Sequence, residues 1–173
     1  MERCSNRSLL VAAYLAFLLG TNAGTVIADV GKSSCEGEDA CIGNTGDIAE
    51  SACNGKRACA VNYGNIDRDA CNGEGACKNN DADVAQNSCN GDYACAQKVG
   101  DVAANSCNGF DACANKFGSV AANACKGEWA CRGNTGDIAD GACNGKRACL
   151  NKKADIGPGE CSGDPVNGKG VCE

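Results

Sequence analysis

The sequence contains no histidine, and aromatic residues make up only 4% of its 173 positions. Without histidine it lacks the commonest general base and the commonest metal ligand near neutral pH. It also lacks a nucleophile elbow and a phosphate-binding loop, and its carboxylates recur regularly without the break in the repeat that a catalytic pair would produce. These absences predict a protein that is not an enzyme and that needs no cofactor.

Basic residues are also scarce, since 16 Lys and Arg face 22 Asp and Glu. Nucleic-acid binding needs a basic footprint, so the net charge of −6 argues against such a partner. The acidic balance instead favours solubility and cation binding. Beyond the first residues, no stretch is apolar enough to cross a bilayer.

The N-terminus has the organisation of a secretory signal peptide. The charged segment MERCSNR precedes the apolar run SLLVAAYLAFLLG, which is followed by small residues. Cleavage after Ala23 or after Ala28 fits this pattern, and an N-terminal membrane anchor is the alternative. The sequence predicts a signal peptide at 1–23, a repeat domain at 29–173, a secreted or cell-surface location, and no membrane span after cleavage.

Cysteine is abundant, with 17 residues, and this composition is typical of a disulfide scaffold. Removal of the signal peptide removes Cys4 and leaves an even number. Cysteines then recur every 18 residues in two columns. The first column is Cys35, Cys53, Cys71, Cys89, Cys107, Cys125, Cys143 and Cys161, and the second is Cys41, Cys59, Cys77, Cys95, Cys113, Cys131 and Cys149. Cys161 is followed only by Cys172, which is typical of an atypical terminal repeat.

Turn signals divide each repeat into three short segments. A glycine stands two positions after each first-column cysteine, mostly as Asn-Gly, which favours turns with positive φ and argues against one long helix. Each segment has its least polar residue in the centre, so strand alternation would turn these residues inward with the cysteines. The inward aliphatic column is Ile48, Ile66, Val84, Val102, Val120, Ile138 and Ile156. We predict an all-β, parallel β-solenoid (β-helix) of about eight 18-residue coils with one disulfide per coil.

The two cysteines of a repeat stand six positions apart. Burial of one Ile or Val contributes about 1.5 to 3 kcal/mol, whereas closing a loop of this size by a disulfide removes about 2.4 kcal/mol of unfolded-state freedom. We therefore favour bridges within repeats: Cys35–Cys41, Cys53–Cys59, Cys71–Cys77, Cys89–Cys95, Cys107–Cys113, Cys125–Cys131, Cys143–Cys149 and Cys161–Cys172. Bridges between adjacent repeats are an alternative. Metal binding is a third, which the spacing disfavours.

The run C-N-G-x-x-A-C, joined by G-D-[IV]-A, resembles the tandem cysteine-rich repeats of proteins secreted by unicellular algae such as diatoms. The resemblance covers residues 29 to about 161 and implies architecture and secretion. The C-x5-C spacing is also similar to that of the beetle-type, disulfide-laced antifreeze solenoids, which implies ice binding by a Thr-x-Thr column. Only Thr45 and Thr135 fall inside the repeats here, so that column is missing.

Equivalent positions of stacked repeats would form columns on the surface. Acidic pairs such as Glu38-Asp39 fall one repeat from basic pairs such as Lys56-Arg57, which predicts contacts that support stacking. A second column holds Asp29, Asp47, Asp83, Asp101, Asp137 and Asp155, interrupted by Asn65 and Ser119. We predict that these aspartates cap turns, with cation binding as the alternative. A third column, Asn54, Asn72, Asn90, Asn108 and Asn144, predicts a structural amide ladder.

Three aromatic residues on successive repeats form a candidate binding surface. We call Tyr93, Phe110 and Trp129, with their neighbours Asp92, Asp111 and Glu128, the aromatic strip. Aromatic faces beside hydrogen-bond acceptors suit sugar rings, although scattered surface aromatics are the plainer interpretation. The sequence predicts a secreted structural or binding protein of the cell surface or matrix, with polysaccharide or another matrix protein as partner. The alternatives are an ice-binding protein and a secreted carbohydrate-active enzyme.

Overall fold

The computed structural model describes residues 28–163. The predicted signal peptide at 1–23 and the predicted bridge partner Cys172 lie outside the described residues, although Cys161 is disulfide-bonded. In the described part of the chain, no helix has the length and apolarity needed to cross a membrane.

Regular secondary structure is confined to isolated bridges. Residues 28–163 contain no helix and no strand longer than a single bridging residue. The bridging residues pair in parallel along the chain in the order Val30, Ile48, Ile66, Val84, Val102, Val120, Ile138 and Ile156. The prediction of an all-β, parallel β-solenoid of eight coils is therefore wrong, because no sheet forms and the described chain is mostly turn and irregular backbone. We keep the word coil for one 18-residue repeat.

Left-handed residues explain why strands do not form. The first-column cysteines have φ between 53° and 60°, whereas strands need strongly negative values. In one coil Asn87, Cys89, Tyr93 and Gln97 have φ of 56°, 57°, 55° and 54°. With a left-handed residue at such short intervals, the segments centred on the two cysteines are turns, and only the segment around the aliphatic residue pairs as a bridge.

Backbone hydrogen bonds nevertheless connect each coil to the next. Ile66 N–H donates to the carbonyl of Asp47 at 2.8 Å, and the Ile66 carbonyl accepts from Ala49 N–H at 2.8 Å. At the second cysteine, Cys59 N–H donates to the Ala40 carbonyl at 2.8 Å. Equivalent bonds recur every 18 residues, so turns rather than strands are stacked, and the buried backbone groups find partners in the adjacent coil.

The interior contains the cysteines and the aliphatic column, as predicted. Ile48, Ile66, Val84, Val102, Val120, Ile138 and Ile156 are all buried in one cluster with both cysteine columns. Seven disulfides lie within coils: Cys35–Cys41, Cys53–Cys59, Cys71–Cys77, Cys89–Cys95, Cys107–Cys113, Cys125–Cys131 and Cys143–Cys149. Each of these coils therefore combines one aliphatic side chain with one covalent bridge.

The asparagine column joins coils through the backbone. Asn72 Oδ1 accepts the N–H of Asn54 at 3.0 Å, and its Nδ2 donates to the carbonyl of Ser51 at 3.0 Å. The predicted structural role is confirmed, although the amides bond mainly to backbone rather than to one another.

The glycine that follows each of these positions is required by close contact. The sequence suggested positive φ at these Asn-Gly glycines, but the left-handed glycines are others, such as Gly43 and Gly75. A Cβ at Gly91 would lie 2.4 Å from the carbonyl oxygen of Gly109 in the next coil, and the same close approach recurs along this column. The absent side chain thus allows two coils to approach.

Substitution of Gly91 by alanine should destabilise the protein by about 3 kcal/mol or more, because backbone must move to admit the methyl group. The matched control is Gly43→Asn, where φ is 71° and where equivalent coils already contain left-handed Asn79, Asn115 and Asn151. We expect the control to stay within about 0.5 kcal/mol of wild type in guanidinium denaturation. Equal midpoints for Gly91→Ala and wild type would contradict the packing argument.

Candidate binding surfaces

An open groove runs along the coils where the G-D-[IV]-A segments stack. Its lining comes from successive coils between Asp29 and Ile138. The aspartates are exposed, the aliphatic residues are buried, and the alanines after them are half-buried. The groove therefore has a narrow, mainly apolar floor beside a row of carboxylates.

Each carboxylate in this row caps the backbone of the preceding coil. Asp47 Oδ1 accepts the N–H of Asp29 at 2.8 Å, and Asp137 Oδ1 accepts the N–H of Ser119 at 2.7 Å. Asn65 does the same for Asp47 at 3.0 Å, so the bond needs an oxygen and not a charge. The predicted capping role is confirmed.

The aromatic strip is only partly assembled. Phe110 and Trp129 meet edge to face with 6.3 Å between ring centroids, a favourable aromatic geometry. Tyr93 lies elsewhere: its ring covers Gly75, and its hydroxyl donates to Glu74 at 3.0 Å. That hydrogen bond raises the pKa of Tyr93. The structure therefore brings two of the three predicted rings together and directs the third toward the preceding coil.

The charged members of the strip are engaged with neighbouring coils. Asp111 pairs with Arg132 at 3.1 Å, and Glu128 pairs with Lys146 at 2.8 Å. The Arg147 guanidinium lies 4.4 Å from the centroid of the Trp129 ring, a cation–π contact. Asp92 Oδ1 accepts the N–H of Glu74 at 2.9 Å. These contacts leave Phe110, which is 46% exposed, as the most accessible ring of the strip.

Ion pairs between coils follow the predicted alternation of acidic and basic pairs. Lys56 contacts Glu38 at 2.9 Å, and Arg57 lies 3.7 Å from Asp39. The contact with Glu38 raises the pKa of Lys56 and lowers that of Glu38. Their exposure makes each pair a weak contribution to stability.

The cysteine sulfurs are close enough together to resemble a metal site. The sulfur atoms of Cys71, Cys77 and Cys89 lie within 4.8 Å of one another. Metal binding requires thiolates, and all three residues are in disulfides, so the oxidised protein has no ligand to offer there.

A buried polar column inside the coils was not identified from the sequence. It consists of Asn44, Asn62, Asn80, Lys98, Lys116 and Asn134, of which all but Asn44 are fully buried. Asn62 Nδ2 donates to Asn44 Oδ1 at 2.8 Å, and Asn80 Nδ2 donates to Asn62 Oδ1 at 2.8 Å. The shared 18-residue register of these positions was the available signal.

Two lysines interrupt this internal amide ladder. The Lys98 ammonium donates to the carbonyls of Val99 at 2.9 Å, Gly118 at 2.7 Å and Gly100. Lys116 similarly donates to Phe117 and Gly136, both at 2.6 Å. Burial lowers the pKa of Lys98 to about 7, with a smaller contribution from the Lys116 charge, and lowers that of Lys116 to about 8.

The interruption leaves polar atoms without partners. Asn80 Oδ1, which faces the coil of Lys98, has no hydrogen bond, and neither amide atom of Asn134 has one. Lys116 occupies the Gly136 carbonyl, whose counterpart Gly64 accepts from Asn62 at 2.6 Å in an uninterrupted part of the ladder. The lysines thus satisfy carbonyls at the expense of the asparagines.

Comparison with known proteins gives one family match. A family described as a domain of unknown function (DUF7640) matches residues 33–116 and again residues 94–173. The two overlapping copies follow from the tandem repeat. No curated protein and no solved structure matches the chain.

Proposed function

We propose that this chain, which belongs to the DUF7640 family, is a secreted structural protein of the cell surface or extracellular matrix. The observation that carries the proposal is the combination of one disulfide within each coil and backbone hydrogen bonds from each coil to the next. Disulfides persist in oxidising compartments, which favours a location outside the cytosol. Stacked at about 4.8 Å, eight coils would form a stiff unit of roughly 40 Å.

The regularity of the chain supports a mechanical role over catalysis. The groove carboxylates recur in successive coils and bind backbone N–H groups. A catalytic site usually departs from a repeat, and the groove has no such departure between Asp29 and Ile138.

Secretion is tested by expressing the full chain in a eukaryotic host and sequencing the N-terminus of the recovered protein. We expect oxidised protein in the medium or wall fraction, beginning at Gly24 or Asp29. An epitope tag at the C-terminus should then locate it outside the plasma membrane. Recovery of a reduced, cytosolic protein that still begins at Met1 would contradict the proposal.

A second candidate function is carbohydrate contact through the aromatic strip, which the 46% exposure of Phe110 favours. A glycan array should compare wild type with Trp129→Ala and Phe110→Ala. The control is Phe117→Ala, which removes a similarly exposed phenyl ring, 54%, outside the strip. Loss of binding in the two strip variants but not in the control would support the strip, and no glycan binding by wild type would exclude it.

Ice binding has less support. Thr45 and Thr135 occupy equivalent positions, but they are five coils apart and form no continuous threonine column. A thermal hysteresis assay at millimolar protein would decide this alternative directly.

A further inference from the structure

The groove has a single sign of charge along its whole length. Its lining includes six acidic residues and neither lysine nor arginine; the six are Asp29, Asp47, Asp67, Asp83, Asp101 and Asp137. The basic pairs of the protein, such as Lys56-Arg57, are engaged with acidic pairs on another face. A ligand that complements this groove must therefore carry positive charge.

The carboxylates are held in place before any ligand arrives. Asp83 Oδ1 accepts the N–H of Asn65 at 2.7 Å, and Asp101 Oδ1 accepts the N–H of Asp83 at 3.2 Å. Each of these exposed side chains has a second carboxylate oxygen that can face a cation. Because the stacked backbone fixes their spacing, a bound cationic chain need not order them.

The groove floor distinguishes among cationic partners. The half-buried Ala85, Ala103 and Ala121 provide a narrow apolar surface that can cover the methylene stems of lysine or arginine. The lining contains no aromatic residue on which a sugar ring could stack. Backbone groups along the floor, such as the N–H and carbonyl of Ile66, already bond to neighbouring coils, so a partner cannot add as a strand.

We propose that this groove binds an extended, lysine- or arginine-rich segment of a partner polypeptide, with its ammonium or guanidinium groups against the aspartate row and its stems on the alanine floor. The inference goes beyond the structural role proposed above, because a stiff extracellular protein needs no such ligand. It assigns the chemical class of a partner and the face on which that partner lies.

The test uses the oxidised mature protein and fluorescein-labelled decalysine in a fluorescence anisotropy titration. The variant Asp83→Asn/Asp101→Asn removes two charges and keeps the capping oxygen, as Asn65 does in the native row. The control Glu74→Gln/Asp92→Asn removes two charges from another face, and an asparagine at position 92 can still accept the Glu74 N–H. Circular dichroism verifies that both variants fold.

We expect wild type to bind decalysine in a salt-dependent manner and the groove variant to bind about fivefold more weakly, with the control unchanged. Absence of binding by wild type would overturn the proposal. Equal weakening in both variants would also overturn it, because attraction would then reflect net charge. A chitosan oligosaccharide that binds while decalysine does not would overturn the assignment to a polypeptide.

Discussion

Reduction of the disulfides should unfold the protein. Each coil buries a single Ile or Val, which contributes about 1.5 to 3 kcal/mol, whereas ordering 18 residues costs on the order of 20 kcal/mol before hydrogen bonds and packing compensate. Each within-coil bridge removes about 2.4 kcal/mol of unfolded-state freedom. Seven such bridges lie in the described chain, so their joint loss exceeds the stability of an ordinary domain.

The experiment must give reductant access to buried sulfur, since the central cysteines are fully buried. Protein reduced in guanidinium and diluted into reductant without denaturant should show the circular dichroism of an unfolded chain and rapid proteolysis. Reoxidation should restore both properties. A native spectrum in the fully reduced sample would show that the backbone network between coils is sufficient.

Single bridges allow a finer comparison. The pair Cys89→Ala/Cys95→Ala should destabilise the protein more than Cys35→Ala/Cys41→Ala, because both remove a loop of the same length but only the first leaves a cavity at a fully buried site. Equal shifts in guanidinium midpoint would indicate that the loop term alone matters.

Replacement of both buried lysines by asparagine should stabilise the protein at neutral pH. The new amide at position 98 would offer its Nδ2 to the unpartnered Asn80 Oδ1, and the new amide at position 116 would offer its Oδ1 to the unpartnered Asn134 Nδ2. Asn62 and Asn44 pair in this way in the native ladder. The change also removes two buried ammonium groups whose desolvation opposes folding. We therefore expect a higher guanidinium midpoint for Lys98→Asn/Lys116→Asn near pH 7.

The same lysines predict a pH dependence that the double variant should lose. Their pKa values fall from 10.5 to about 7 for Lys98 and about 8 for Lys116, while the unfolded chain keeps the ordinary value. Between these limits the unfolded state binds more protons, so the free energy of unfolding rises with pH, at up to about 1.4 kcal/mol per unit for each lysine. Below about pH 7 both states are protonated and this contribution is constant.

Several charges oppose that shift. The field of Asp101 and Asp137 raises the pKa of Lys98, and Asp137 with Asp155 raises that of Lys116, but desolvation is the largest effect for both. Denaturation between about pH 6.5 and about pH 9.5 should show a rising midpoint for wild type and a flatter profile for the double variant. Lys153→Gln, at an exposed site, is the control and should keep the wild-type slope. Identical slopes in all three proteins would contradict the assignment to Lys98 and Lys116.

The sequence determined the features that depend on position within the repeat. The 18-residue register places Ile48 and its equivalents beside the cysteines, and opposite charges at Glu38 and Lys56 on adjacent coils. The structure contains both arrangements. The capping role of Asp47 followed from the same register, because one aspartate at one turn per coil has the adjacent coil's backbone as its nearest partner. Stacking converts sequence period into spatial neighbourhood, so these contacts needed no further information.

Only the tertiary structure decided the backbone conformation and the character of the interior. Alternation around Cys89 suggests a strand, yet its φ of 57° makes a turn, and ordinary propensities do not announce a left-handed cysteine. The contact between coils decides why Gly91 is glycine, since the limiting atom is the Gly109 carbonyl 18 residues away. Lys98 reads as a surface residue from its charge alone, but stacking buries its stem and surrounds its ammonium with carbonyls from two coils. In each case the deciding atom belongs to another coil or to the backbone, where residue type carries little information.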